Sequence, residues 1–154
     1  MQVRLENINP DNWRILNSLK VKAEQEKYVA ANVSILAKAY AYRKDNSEVY
    51  AVYHESLPVG LLMQRDFVRD GQMLCILDQF MIAEQYQGKG IGKLAMQQWL
   101  TMIKTANKYE AVILCYIEGD DIARNLYDNM GFIYTGEREE DEIIMMYKLK
   151  EGNF

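Results

Sequence analysis

The strongest constraint in this chain is a run of glycines set between two apolar segments of different period. Gln87-Gly88-Lys89-Gly90-Ile91-Gly92 follows an apolar run from Met73 to Ile82 and precedes Ile91, Leu94, Ala95, Trp99, Met102 and Ile103. These last residues recur at i, i+3, i+4, i+8, i+11 and i+12, with Lys93, Gln97 and Lys104 outside the stripe, as an amphipathic helix requires. The preceding run is long enough for a central strand. Strand, glycine loop and helix in that order turn backbone N–H groups inward with a helix N-terminus behind them, a setting for phosphate oxygens. Lys89 and Lys93 add charge on the same side. Glycines also serve turns and helix–sheet packing, and on spacing alone both readings stand. The loop is not a P-loop, because no Gly-Lys-Ser/Thr follows, and its spacing departs from the Gly-x-Gly-x-x-Gly of dinucleotide folds.

The remaining elements are read around this junction. Val3 and Leu5 alternate with polar neighbours as a short strand, and Asn9-Pro10 supplies a cap and a first-turn proline for a helix running toward Leu19. Val33, Leu36, Ala37 and Tyr40 predict a second helix ending near Asp45-Asn46. The charged segment from Val21 to Ala31 has no fixed reading. From Val49 the period becomes two, giving strands at Val49–His54 and Val59–Gln64 around a turn at Glu55-Ser56, then a turn at Arg69-Asp70-Gly71 and the Met73–Ile82 strand. After the long helix come a strand at Ala111–Ile117, a helix at Asp121–Met130 stopped by Gly131, and strands at Phe132–Tyr134 and Ile143–Leu149. The order β-α-α-β-β-β-α-β-α-β-β describes an α/β (α+β) fold around one mixed sheet. At 154 residues without a Pro/Gly/Ser-rich linker, the chain is expected to be a single domain over 1–154.

Composition narrows the chemistry. Lys plus Arg is 18 against 22 for Asp plus Glu, a formal charge of −4, which argues against a nucleic-acid binder and suits either an ordinary soluble surface or a cationic small substrate. The single histidine, His54, leaves no His-rich metal cluster, and no Gly-x-Ser-x-Gly elbow accompanies it. Cys75 and Cys115 sit among apolar residues and read as small buried hydrophobes in strands rather than as nucleophiles. Met1-Gln2-Val3-Arg4-Leu5-Glu6 lacks a signal-peptide core, and no run of about 18 apolar residues exists, so a cytoplasmic protein without a membrane partner is expected. Metals and disulfides are not expected to be needed for folding.

Gln87 to Gly92, preceded by Phe80-Met81-Ile82 and followed by Ala123-Arg124-Asn125-Leu126-Tyr127 and Gly131-Phe132, resembles the GNAT superfamily of acetyl-CoA-dependent N-acetyltransferases over nearly the whole chain. The resemblance implies a mostly antiparallel sheet with about four flanking helices, and acetyl-CoA as cofactor. It further implies that Gln87, Gly88, Lys89, Gly90, Ile91 and Gly92 bind the pyrophosphate of coenzyme A. Phe80, Met81 and Ile82 then match the strand that pairs with the pantetheine arm, with the Met81 N–H polarising the thioester carbonyl. Asp120 stands where the family usually has an Asn that contacts the coenzyme. Tyr127 matches the tyrosine that protonates the departing thiolate, a role suited to a phenol with a reference pKa of about 10. Its alternative is an aromatic packed with Leu126 and Phe132.

Asp78 interrupts the apolar strand nine residues before Gln87, and strict alternation puts it on one face with Phe80 and Ile82. An ionised carboxylate there is costly unless paired or used. It is therefore either a buried salt bridge to an Arg or a general base, usually acting through water, as in the similar polyamine acetyltransferases. A polycationic acceptor calls for carboxylates along a groove, and Asp78, Glu24, Glu26, Glu84, Glu118, Asp120 and Asp121 are the candidates. The Val21–Val29 segment, including Tyr28, together with Leu77–Ile82, resembles bacterial spermine/spermidine acetyltransferases, in which this region lines the acceptor site. The expected function is direct acetylation of a primary amine of a polyamine. Rivals are a GNAT enzyme for a protein N-terminus, an aminoglycoside or an amino acid, and a non-catalytic acyl-CoA-binding module. The resemblance also implies a homodimer, with apolar residues near Ile143 to Tyr147 as its candidate interface.

Overall fold

In a computed structural model that describes residues 2–151, the period-two segments become the strands of one sheet. Met1 and residues 152–154, the ends of the expected domain span, lie outside the described residues. The strands are β1 (Val3–Asn7), β2 (Glu48–His54), β3 (Leu57–Arg69), β4 (Gln72–Ile82), β5 (Ala111–Ile117), β6 (Ile133–Glu139) and β7 (Glu142–Lys148). The helices are α1 (Trp13–Ser18), α2 (Asn32–Ala41), α3 (Ile91–Ala106) and α4 (Asp121–Asn129). The sheet order is β1-β2-β3-β4-β5-β7-β6. Only the β4–β5 pair is parallel, as expected for two strands joined through a helix.

Helix α3 lies on one face of the sheet, where Leu77, Met96, Trp99, Leu100, Ile103 and Leu114 form the largest buried cluster. Trp99 is fully buried and its indole N–H donates to Gln64 Oε1 at 2.6 Å, so its one polar atom is satisfied. Helices α1 and α2 cover the other face with Leu16 and Ile35 against Ala51, Leu61, Met63 and Met81. The sequence-predicted stripe of α2 is rotated from the observed one: Val33 and Tyr40 are exposed, while Asn32 and Ile35 are buried. Asn32 is turned inward because its Nδ2 donates to the Leu16 and Leu19 carbonyls at 2.7 and 3.1 Å, capping the end of α1. Helix α1 starts later than its proline suggests, since Asn9 Oδ1 first closes a turn on the N–H groups of Asp11 and Asn12 at 2.8 and 3.0 Å. The Ile143–Tyr147 stretch does not offer an exposed apolar face. It belongs to β7, which is hydrogen-bonded between β5 and β6, and Met145 and Met146 are buried.

Two irregularities of the sheet shape the region around the glycine loop. Parallel pairing of β4 with β5 runs only from Leu74–Ala111 to Leu77–Leu114, although β4 continues to Ile82 and β5 stays paired with β7 as far as Ile117. Beyond Leu77 the two central strands therefore part. On its other edge β4 pairs Leu77 with Gln64 and Gln79 with Met63, which leaves Asp78 as the extra residue of a β-bulge. A bulge bends its strand and increases local twist. Next to the divergence the β3 and β4 backbones pack closely at Gly60, where a Cβ would lie 2.3 Å from the Met81 carbonyl oxygen.

This contact makes Gly60→Ala a sharp test of the sheet. The added methyl meets backbone rather than a flexible side chain, and the substitution is expected to lower unfolding free energy by about 2 kcal/mol or more in urea titration. Gly71→Leu, at a turn glycine with φ +76° and open space around it, is the matched control for conformational strain without a clash, with a loss of about 1 kcal/mol.

Candidate active site

Beyond Leu77 the parted strands leave one edge of β4 without a strand partner. The Ala83 N–H donates to the Val59 carbonyl at 2.8 Å, so in this antiparallel ladder the Val59–Ala83 and Leu61–Met81 pairs are the hydrogen-bonded ones. The Met81 backbone therefore faces β3, and its carbonyl points at Gly60. The N–H groups turned into the gap belong to Phe80 and Ile82. This corrects the expectation that Met81 donates the polarising hydrogen bond: the parity of the ladder puts that capacity one residue to either side.

The glycine loop closes the end of the gap. Gly88 and Gly90 have φ of +74° and +81°, a conformation that costs other residues, and Gly90 is the N-cap of α3. A Cβ at Gly92 would lie 3.7–3.8 Å from Ile82 and Phe80, so the first turn of α3 rests against β4. The resulting cleft, about 460 Å3, is bordered by Phe80, Met81, Ile82, Gln87, Gly88, Gly90, Ile91 and Gly92, with Lys22 and Lys93 at its rim. Lys89 is exposed, stands 5.8 Å from the centre of the Tyr86 ring and does not border the cleft. The Gln87 side chain is occupied elsewhere: its Nε2 donates to the Ile82 carbonyl at 2.9 Å and to Gln25 Oε1 at 2.8 Å.

A second cavity, about 340 Å3, opens on the other side of Phe80 and is walled by Tyr28, Asp78, Cys115, Tyr116, Asp120 and Glu142 among others. The two cavities share Val29, Phe80, Asp120, Ala123 and Tyr127. Tyr127 is thus the phenol at their junction. It is buried and held edge-on to Phe132, with ring centres 5.9 Å apart. Burial, followed by the Asp120 carboxylate, pushes its pKa well above the usual tyrosine value, so the hydroxyl keeps its proton at neutral pH.

Asp78 has a different environment from the one its sequence position suggests. The bulge removes it from the face of Phe80 and Ile82, which pack toward α3, and sends its side chain to Lys38 of α2. Lys38 Nζ and Arg65 Nε each donate to one carboxylate oxygen at 2.8 Å, and the side chain is 4% exposed. Burial raises its pKa, but these two cations outweigh it and hold the carboxyl below the usual aspartate value. A carboxylate saturated in this way is a poor proton acceptor, so the salt-bridge alternative, with two cations rather than one, describes it. The Arg65 guanidinium also lies 4.6 Å from the centre of the Tyr42 ring.

Asp120 is the contrasting acid. Its Oδ1 caps α4 by accepting the Ala123 N–H at 3.2 Å. Burial, helped by Asp121, raises its pKa despite that bond. Of the other expected acceptor residues, Tyr28 walls the second cavity, while Glu24, Glu84 and Glu118 border neither cavity and are exposed. Glu118 pairs instead with Arg138 of β6, and Glu26 borders a separate groove against α1 and α2. Asp121 is exposed in the first turn of α4. Two site residues escaped sequence reading. Glu142 opens β7 opposite Ile117, and Lys22 lies in the segment whose shape carries no periodic signal. Cys115 is accessible rather than buried, yet its thiol is pushed up to about 11, mainly by desolvation and then by Glu142. That is the reverse of an activated nucleophile.

Comparison with known proteins bears on the family and the fold. The acetyltransferase (GNAT) domain profile matches residues 45–134. The chain is 28% identical over 158 aligned positions to a spermine/spermidine N(1)-acetyltransferase of Bacillus subtilis, covering 97% of this chain and all of that protein. Among solved structures, spermidine N-acetyltransferase from Vibrio cholerae in complex with CoA and spermine superposes with a TM-score of 0.77 at 18% identity, covering 96% of each chain. An aminoglycoside acetyltransferase, AAC(6')-Ib, in complex with coenzyme A superposes with a TM-score of 0.79 at 11% identity over 96% of this chain and 95% of the other. These two likenesses bear on the fold.

The Asp78 ion pairs give a pH-dependent stability. A depressed folded-state pKa contributes stability that is present above the unfolded value of about 4 and is lost as pH falls through the folded value. Asp78→Asn is therefore expected to cost about 2–4 kcal/mol at pH 7. Urea titrations of wild type and variant should converge as pH drops below about 4.

Proposed function

The chain belongs to the acetyltransferase (GNAT) domain family, and on that premise we propose that it transfers the acetyl group of acetyl-CoA to a primary amine of a polyamine such as spermidine or spermine. The observation that carries the reading is a single proton-bearing phenol, Tyr127, shared by two cavities of different chemistry. One is lined by free backbone donors and a glycine loop at a helix N-terminus. The other is walled by aromatic rings and carboxylates. The similarity to the Bacillus subtilis enzyme, named for spermine and spermidine, supports the choice of amine. The aminoglycoside enzyme shares the fold and keeps that substrate class as the rival to be tested.

The cleft fits coenzyme A. The unpaired N–H groups of Phe80 and Ile82 suit an amide-bearing arm, and the Gly88–Gly92 backbone at the start of the 16-residue helix α3 suits a pyrophosphate. When bound, acetyl-CoA supplies the activated acetyl thioester. The Phe80 or Ile82 N–H stabilises charge on the carbonyl oxygen. Tyr127 donates its proton to the departing sulfur, which its raised pKa permits at neutral pH. Asp120, with its raised pKa and position at the junction, takes the proton that the acceptor ammonium must lose. Asp78 holds the acceptor wall through Lys38 and Arg65. Tyr28 and Tyr116 border the acceptor cavity with Glu142 and Lys27, whose ammonium lies 5.1 Å from the centre of the Tyr28 ring, and Glu142 offers the acceptor a carboxylate. Holding amine and thioester on either side of Phe80 supplies the proximity that direct transfer requires.

Initial rates with spermine, spermidine, an aminoglycoside, an amino acid and an N-terminal peptide at fixed acetyl-CoA test the substrate class, with polyamines expected to give the highest kcat/KM. Coenzyme A binding without turnover of any amine would replace the enzyme reading with that of an acyl-CoA-binding module. Tyr127→Phe should lower kcat about 100-fold or more with little change in amine KM.

Asp120→Asn keeps an oxygen for the helix cap and removes the base. It is expected to lower kcat/KM by about 10- to 100-fold and to abolish the acidic limb of the pH–rate profile, which in wild type lies above the ordinary aspartate range. Asp78→Asn should leave that limb in place.

A further inference from the structure

The segment between α1 and α2 walls both cavities, yet its regular structure is limited to a 3-10 turn at Ala23–Gln25. Val21, Lys22 and Gln25 border the cleft, Tyr28 borders the acceptor cavity, and Val29 borders both. Its position relative to β4 and the glycine loop must therefore come from cross-ties. Near its start, the Glu84 N–H donates to the Lys20 carbonyl at 2.9 Å. Further along, Gln25 and Gln87 form a closed carboxamide pair: Gln25 Nε2 donates to Gln87 Oε1 at 3.0 Å, and Gln87 Nε2 donates to Gln25 Oε1 at 2.8 Å. The pair is extended at both ends. Gln25 Oε1 accepts the Lys22 N–H at 3.0 Å, and Gln87 Nε2 donates to the Ile82 carbonyl on the cleft edge of β4 at 2.9 Å. The Tyr28 N–H donates to the Gln25 carbonyl at 2.9 Å, so a continuous path runs from Tyr28 on the acceptor cavity, through two side-chain amides 62 residues apart in sequence, to the loop and strand that frame the cleft.

We infer that Gln25 is a positioning residue that couples the two cavities, so that filling the cofactor cleft orders the acceptor wall and strengthens amine binding. The inference rests on the assignment of the two cavities to coenzyme and amine. A ligand held by the glycine loop restrains Gln87, and Gln87 restrains Gln25 and the Lys22–Tyr28 backbone. The ordering of that backbone is then already complete when the amine arrives. By linkage the amine tightens coenzyme binding by the same factor. Gln87 acts here through its side chain as the loop's tether, while the loop backbone remains available for phosphate.

Hydrogen–deuterium exchange on the full chain with and without coenzyme A tests this without reference to the amine. In wild type, coenzyme A should slow exchange about tenfold both at residues 87–92 and at 22–28. In Gln25→Ala the slowing should persist at 87–92 and vanish at 22–28. No slowing at 22–28 in wild type, or equal slowing there in the variant, would overturn the inference.

Calorimetric affinity for the best acceptor of the amine panel supplies the second arm. Coenzyme A should tighten amine binding about fivefold or more in wild type, by about one-fold in Gln25→Ala, and by an intermediate factor in Gln25→Glu, which still accepts from Lys22 and Gln87 but no longer donates. A role confined to local stability would weaken binding equally with and without coenzyme and leave the ratio intact, which also overturns the inference. An acceptor that is not a polyamine would overturn the proposed substrate class and leave this ratio to decide the coupling.

Discussion

The site depends on one break in sheet pairing. A parallel pair of strands buried between helices would ordinarily satisfy both edges of β4 along its length. Here β5 leaves it after Leu77 and Leu114, level with the bulge at Asp78. The bulge residue is anchored by two ion pairs, one to α2 and one to β3, so the bend in β4 is fixed from the side opposite α3. On the proposed function, backbone groups on the freed edge, which would be costly if buried without partners, form the coenzyme-recognition surface of the cleft. The same parting makes room for the acceptor cavity beside Phe80.

Three acids around this parting show how environment sets role. Asp78 is the most buried and would have the highest pKa if burial alone decided, but its two cations reverse the sign. Asp120 has only a backbone N–H to favour its charged form, and burial wins. Glu142 borders the same cavity and adds to the pressure that keeps Cys115 protonated. Asp120 and Glu142 border the same cavity as Asp78, whose carboxylate Lys38 and Arg65 already engage.

The order of strands and helices and the glycine loop were legible because they rest on local period and on residues with special backbone freedom. The Ala111–Ile117 strand is observed at those bounds, and Tyr127 lies on the helix that its motif implies. What was not legible depends on partners distant in sequence. Alternation placed Asp78 with Phe80 because a bulge is a property of the β3–β4 register and leaves no mark in β4 alone. The choice between the N–H of Met81 and those of its neighbours needs the parity of the same ladder. Glu24, Glu84 and Glu118 carry the charge expected of acceptor groups, but their exposure is set by the path of the chain. Asn32 reads as a polar surface residue until the end of α1 is brought to it.

The two cavities also differ in what recognises their contents, and this bears on how one fold serves different acceptors. The cleft presents backbone N–H groups and glycines, whose geometry is held by sheet register and helix start rather than by side-chain identity. The second cavity presents Tyr28, Tyr116, Asp120 and Glu142, contributed by a loop, two strand ends and a helix cap. Substitutions there change charge and shape without disturbing the parted strands. A change in the wall of the second cavity can therefore leave the glycine loop and the strand parting in place. The segment from Lys20 to Ala30 is the part that must satisfy both requirements. It is tied to Glu84, just past β4, through the Lys20 carbonyl and to the loop through Gln25, whose side chain pairs with Gln87.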